Sequence, residues 1–393
     1  MRARHVAHSV PAFPVYSATF LSPNDLVLGG GGGASKTGIK NKLRLYRVDE
    51  ILNMKLADEL ELEKGEDAPM SMAGHPDGAT IICGINRPEE MVIKGENGNC
   101  RVFVVNDQNK LSQLHAVNTL SSKDPEDYQK VTAISPDGTL VVVAGIRELS
   151  VLTLPKLEIT STQIDKGEIY DAAFSENYLV VATTTNLLVY SLTKPDPDSK
   201  GKEKEHVGIT VVLKDPKVLE LPKIAGGAKG TFRVSRFHPL DEHILYTAIN
   251  TIPGRGAKGS TRKGFIARWN TQTWKVETIR KVSDKGLTAF DVSNNGRWIA
   301  YGSSDCSVGL LDSYTLAPLL SILKSHEFPP TILKFNPTSR LLVSGSADNT
   351  VRLIAIPETL GDASGWGYGL TVILALFAIL FAIALQLYMS GAL

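Results

Sequence analysis

The sequence predicts an all-β fold, a seven-bladed β-propeller, followed by a single C-terminal transmembrane α-helix. Three observations predict it. One strand–turn–strand pattern recurs along most of the chain. Its period is that of a propeller blade with insertions, roughly 40 to 60 residues. An uncharged apolar stretch then occupies the C-terminal end.

The repeat is clearest in Val131–Gly145 (VTAISPDGTLVVVAG), Tyr170–Thr184, Leu287–Asp312 and Ile332–Ile356. Weaker copies begin near Tyr16, Met70 and Phe232. Phe20, Met72, Ile134, Phe174, Phe237, Val292 and Phe335 mark equivalent positions, one per unit. Pro76-Asp77-Gly78, Pro136-Asp137-Gly138 and Asn294-Asn295-Gly296 supply hairpin residues that accept positive φ. Ser346-Ala-Asp348-Asn-Thr-Val-Arg352 resembles the tight turn of WD-repeat blades. Gly-His and Trp-Asp dipeptides are mostly absent, and Arg268-Trp269-Asn270 is the nearest approach. The last blade shows three strands, near 331–336, 341–345 and 350–355. Arg2 to Ser9 is an unassigned strand-like segment, expected to pair into that blade and close the ring.

Residues 1–357 are therefore read as a propeller, 358–369 as a linker, 370–389 as a membrane span and 390–393 as a short lumenal tail. Leu370 to Met389 is nearly all apolar, and no charge lies between Ala363 and Leu393. Twenty helical residues span roughly 30 Å, the hydrocarbon thickness of a bilayer. Trp366, Tyr368 and Tyr388 stand where interfacial aromatics do. The N-terminus has no apolar run of signal-peptide length, and with only a few residues beyond the span the propeller is expected on the cytosolic side.

Three insertions interrupt the pattern: Asn86–Asn99, the charged Thr193–Glu205, and the basic Asn250–Gly264 with Arg255, Lys258, Arg262 and Lys263. The formal net charge is only +1 over 393 residues, which argues against a nucleic-acid partner. Cys83, Cys100 and Cys306 are far apart, with no zinc spacing, and read as reduced thiols. No H-E-x-x-H motif or G-x-S-x-G elbow is present, so covalent catalysis has no support. His238 and His326, at the starts of blade strands, read as structural.

The most informative stretch is Gly29–Lys42, GGGGGASKTGIKNK, between two strand-like runs. Five consecutive glycines suggest a backbone that must approach something closely: a phosphate, a cation or a partner protein. Gly30–Thr37 nearly matches a P-loop, but Ser35 replaces the second glycine. The next run reads as a strand, whereas a P-loop opens a helix. Nucleotide binding is therefore not expected there.

Gly30 to Asn41, GGGGASKTGIKN, resembles the first-blade loop of the Sec-twelve family. These are the ER-membrane exchange factors that load the Sar small GTPase at the start of COPII coat assembly; in animals the name is prolactin regulatory element-binding protein. The resemblance extends over the whole chain, from propeller to anchor, and its specific part is the loop. It implies a guanine-nucleotide exchange factor that sits in the ER membrane as a single-pass monomer, with a cytosolic N-terminal domain. It also implies GTPase contact through Ile39 and Asn41, side chains expected to face solvent in the free protein. A potassium ion organised by the loop around Gly30, Gly31, Gly32, Gly33 and Gly38 is implied as well. A passive ER-anchored scaffold would share fold and anchor; only the loop motif separates the two.

Overall fold

The computed structural model describes residues 3–34, 37–193, 210–211, 213–224, 227–253, 261–362, 374–382 and 386. Seven antiparallel sheets follow one another along the chain. Blade 1 spans 15–61, blade 2 71–117, blade 3 131–163, blade 4 169–220, blade 5 230–283, blade 6 287–322 and blade 7 330–355. The seven marker residues, Phe20 to Phe335, all lie in the innermost strands. Innermost strands of successive blades touch, and Pro330–Phe335 meets Val15–Phe20 to complete the ring.

Blade 7 takes its outermost strand from the other end of the chain. His5–Ser9 pairs antiparallel with Thr350–Ala355, His5 opposite Ile354 and Ser9 opposite Thr350. The pairing covers an edge that would otherwise present unpaired N–H and C=O groups. It is reinforced from Val10 onward: the amides of Val10 and Phe13 donate to the Asn349 carbonyl and side chain. Val10, Phe13 and Val15 enter one apolar cluster with Leu341, Val343, Val351 and Leu353.

The hairpin turns use the expected glycines. Gly78, Gly138 and Gly296 have φ of 73°, 76° and 71°, angles that favour glycine. Two of these turns receive a histidine from the preceding blade: His75 Nε2 lies 3.0 Å from the Gly138 carbonyl, and His238 Nε2 lies 3.0 Å from that of Gly296. His326 is buried between Thr350 Oγ1 at 2.7 Å and Ser344 Oγ at 2.8 Å. His238 and His326 thus join strands and turns, as structural residues do. Cys83 and Cys100 are buried free thiols in neighbouring strands; burial pushes both upward, Cys100 to about 12.

In every blade the second-to-third-strand connection and the link to the next blade emerge at one end of the ring. That end carries the described residues of the glycine-rich segment, the 86–99 insertion and the described ends of the 250–264 insertion. The propeller's last residue, Ile356, follows a third strand and lies at the opposite end.

The chain forms two compact units, Met1–Ile356 and Pro357–Leu393. Among the described residues, no helix is long and apolar enough to cross a membrane. Residues 374–382 are helical, and Leu374, Leu376, Phe377, Ile379, Leu380 and Phe381 are all exposed. Apart from 386, the remainder of the expected 370–389 span lies outside the described residues, as do 194–209 and 254–260 in the two charged insertions.

Candidate functional site: a pinned glycine loop

The glycine run divides between strand and loop. Gly29 and Gly30 end the strand Asp25–Gly30, with Gly30 paired to Val15 on one side and Lys42 on the other. The loop proper begins at Gly31, whose amide donates to the Pro14 carbonyl at 3.0 Å. Gly31 has φ of 139°, and a Cβ there would sit 2.3 Å from Asn41 Oδ1. At Gly32 a Cβ would meet Thr37 Oγ1 at 2.2 Å and the Ile39 carbonyl at 2.9 Å. These glycines permit close packing; they do not act as slack tether.

Asn41 is the pin. Its Oδ1 accepts from the Gly33 amide at 2.9 Å, while Nδ2 donates to the Gly33 carbonyl at 3.0 Å and to the Glu66 carbonyl at 2.7 Å. The residue is 9% exposed. The expectation that Asn41 faces solvent is therefore corrected. An amide has just enough donors and acceptors to satisfy both groups of Gly33 and one more carbonyl, and this burial leaves little of it for a partner. Asn41 is a positioning residue for the loop. Ile39 is half-buried beside Gly32, and Gly38 has φ of 78° with open space around it.

The second support is the linker from blade 1 to blade 2. Asp67 accepts hydrogen bonds from the amides of Ala34 and Ala68, so it holds the far side of the loop. Burial pushes its carboxyl above the usual range, Glu126 adds to this, and the two amide hydrogen bonds oppose it. Burial and the Asp67 charge together raise the phenols of Tyr16 and Tyr128. No described cation lies within ion-pair distance of Asp67. The neighbouring Glu66 is buried and meets the buried Arg101 at 2.5 Å. Its other oxygen accepts from the Glu63 amide at 3.0 Å. Arg101 comes from the third strand of blade 2, so the ion pair locks the loop's base across two blades. Nothing in the sequence links residues 41, 66, 67 and 101; only the ring brings them together.

Residues around the loop fit a monovalent cation in one respect. The donors are all oxygen, and the Asp67 carboxylate beside Gly33 is desolvated with no positive partner among the described residues. Backbone carbonyls of the 30–33 segment are not all available, since that of Gly33 already accepts from Asn41. Among the described residues no group of three or more His, Cys, Asp or Glu side chains converges to hold a metal.

Known proteins resemble this chain. The family model described as "WD domain, G-beta repeat" matches residues 317–354. The chain is 26% identical over 364 residues to the guanine nucleotide-exchange factor SEC12 of Candida glabrata, covering 89% of this chain and 72% of that protein. It is 26% identical to SEC12-like protein 2 of Arabidopsis thaliana, covering 84% of this chain and 75% of that protein. Against the putative exchange factor SED4 of Candida glabrata it is 27% identical, with 90% of this chain covered but only 32% of the relative. Among solved structures, Raptor of Chaetomium thermophilum superposes with a TM-score of 0.62 at 12% identity, over 90% of this chain and 29% of that one. This last likeness shows the fold alone.

Fold and likeness together define a class: seven-bladed WD-repeat propellers whose relatives carry the name guanine nucleotide-exchange factor. Within that class the chain is similar, over most of its length, to the exchange factors named SEC12 and SED4.

Proposed function

We propose that this protein is a membrane-anchored guanine-nucleotide exchange factor. Its substrate is a Sar-type small GTPase at the ER, which it loads with GTP to start COPII coat assembly. The observation that carries the reading is the loop 31–41, held at its base by Asn41, Asp67 and the Glu66–Arg101 pair, with Ile39 and Gly38 left toward the outside. The names of the relatives point the same way.

An exchange factor binds the nucleotide-free GTPase more tightly than the loaded form, and by linkage the same difference weakens nucleotide binding. A release rate raised ~1,000-fold needs about 4 kcal/mol of preferential transition-state stabilisation. A loop already ordered by its own amide loses little entropy when it is pressed against a partner. Ile39 supplies apolar area, and the glycines at 31 and 32 let the loop pack closely on its own Asn41, Thr37 and Ile39, which keeps its shape. Asp67 and the backbone of the loop would hold a potassium ion, which would supply the positive charge that the Asp67 carboxylate lacks among the described residues. The protein's own contribution is the frame: Asn41 fixes Gly33, and Asp67 fixes Ala34.

The anchor belongs to the same proposal. Six large apolar side chains stand exposed within nine helical residues, a surface that water disfavours and a bilayer accepts. The full chain is expected to resist alkaline extraction from membranes.

The test is release of a fluorescent nucleotide from a Sar GTPase on addition of residues 1–360. Accelerated release, reduced when potassium is replaced by a larger organic cation, is the expected result. Binding without acceleration would leave a passive tether in its place.

A further inference from the structure

The glycine loop is not the only distinctive feature at its end of the ring. Lys229 ends the link into blade 5, Arg262 and Lys263 end the blade 5 insertion, and Lys285 lies in the link from blade 5 to blade 6. All four are exposed. None forms an ion pair with a described residue; the nearby acid, Asp284, is bridged by Lys281 at 2.8 Å. Strand order puts these residues at the end that carries the glycine loop, three blades away around the ring.

Further cations stand at the mouth of the central channel, where Glu168 and Asp127 face Lys130. There Arg233 stacks on Tyr170, its guanidinium carbon 4.2 Å from the ring centroid, and Lys130 Nζ lies 5.2 Å from the same ring. Arg233 Nε is buried without a hydrogen-bond partner, and the mouth opens into a cavity of about 400 Å³. Arg236, one step further in, is already paired with the buried Asp171. Cations stacked on an aromatic face are held in place without losing their charge. An arc of unpaired, partly preordered cations is an anion-seeking surface.

Two anionic surfaces are candidates, a bilayer and a protein. The arc shares its end of the ring with the glycine loop, so a protein seated on that loop lies within reach of the arc. We propose that the arc Lys229, Arg233, Arg262, Lys263 and Lys285 docks an acidic face of the GTPase, a second contact across the channel mouth from the glycine loop. The two contacts divide the work. The arc steers and orients the encounter, which is what long-range charge does well. The loop then acts on the bound GTPase.

The inference rests on the exchange-factor reading, and the experiment separates the two. Exchange is measured with the full chain in detergent, over a range of concentrations of a Sar GTPase carrying fluorescent GDP. The variant combines Lys229→Glu, Arg262→Glu, Lys263→Glu and Lys285→Glu, all at exposed positions, with melting temperature as the control for folding. The expected result is a half-saturating GTPase concentration raised ten-fold or more, a maximal rate within two-fold of the parent, and a flattened dependence on salt. A companion Arg233→Gln variant is expected to shift the same parameter in the same direction by a smaller factor. An unchanged half-saturating concentration and salt dependence in a folded variant overturns the inference. So does unchanged exchange combined with lost binding to phosphatidylserine vesicles by the propeller, which closes within residues 5–356; that result assigns the arc to a membrane. Absence of exchange by the parent protein overturns the underlying reading instead.

Discussion

The connections at 31–41 and 86–99 occupy the same topological position in neighbouring blades, and they use buried asparagine amides to different ends. In blade 2 the segment folds back on the ring. Asn97 donates to Asn86 Oδ1 at 2.9 Å, and Asn99 donates to Thr119 Oγ1 at 2.6 Å and Gln129 Oε1 at 2.9 Å. The short helix Glu89–Lys94 between them buries Val92. In blade 1 a single amide, Asn41, ties down only Gly33 and the linker carbonyl of Glu66. The apex around Gly38 is left with open space. The contrast teaches that amide anchoring is a general device of this end of the ring. A presenting loop is marked by how little of it beyond the anchored base is packed.

The largest expected effect strikes the support that both segments share. Arg101→Met removes the partner of buried Glu66 and leaves an uncompensated charge, at a cost of about 3–5 kcal/mol. Denaturant unfolding of the propeller measures it. A loss well under 1 kcal/mol would mean that Glu66 finds water or another donor.

Asn99→Ala and Asn41→Ala test the comparison directly. Each strands buried backbone or side-chain groups, at about 1–3 kcal/mol, so both should lower stability. Only Asn41→Ala should slow nucleotide release by ten-fold or more per folded molecule, ~1.4 kcal/mol of transition-state stabilisation. Equal exchange by the two variants would dissolve the distinction between anchored and presenting loops.

A pH series addresses the frame rather than the loop. Burial lowers the folded-state pKa of His326 and of His238 below 6.5, with Asp348 and the Gly296 carbonyl respectively opposing the shift. The unfolded chain therefore binds protons more readily. Their contribution to stability is complete above about pH 6.5 and is lost progressively as pH falls toward the folded values. Melting temperature should drop below that pH, less steeply in His326→Gln. Parallel curves for parent and variant would exclude His326 as a source.

The smallest effect on stability and the sharpest on function is expected at Ile39. Ile39→Ala removes a half-buried side chain from an open loop, with a stability change under about 0.5 kcal/mol. Exchange should still slow ten-fold or more. Undiminished release would remove Ile39 from the contact with the GTPase.

The sequence by itself determines the architecture, because its signals are local and repeated. Strand, turn and strand recur along the chain, with a hairpin glycine in several of the units, and seven markers place seven inner strands. Even ring closure is legible, since a last blade with three strands and an orphan N-terminal segment leave one economical pairing. The glycine loop stands out for the same reason, being a local anomaly between two strands. Only the tertiary structure decides which side chains are free to act. Asn41 reads as an exposed contact because its burial comes from Gly33, the Glu66 carbonyl and a linker 25 positions away. The Glu66–Arg101 pair spans 35 positions, and the arc from Lys229 to Lys285 forms because antiparallel strand order returns those connections to one end. Strand propensity and turn chemistry act between near neighbours and can be read in order along a chain. Burial and charge pairing depend on distances in space that the closing of the ring creates.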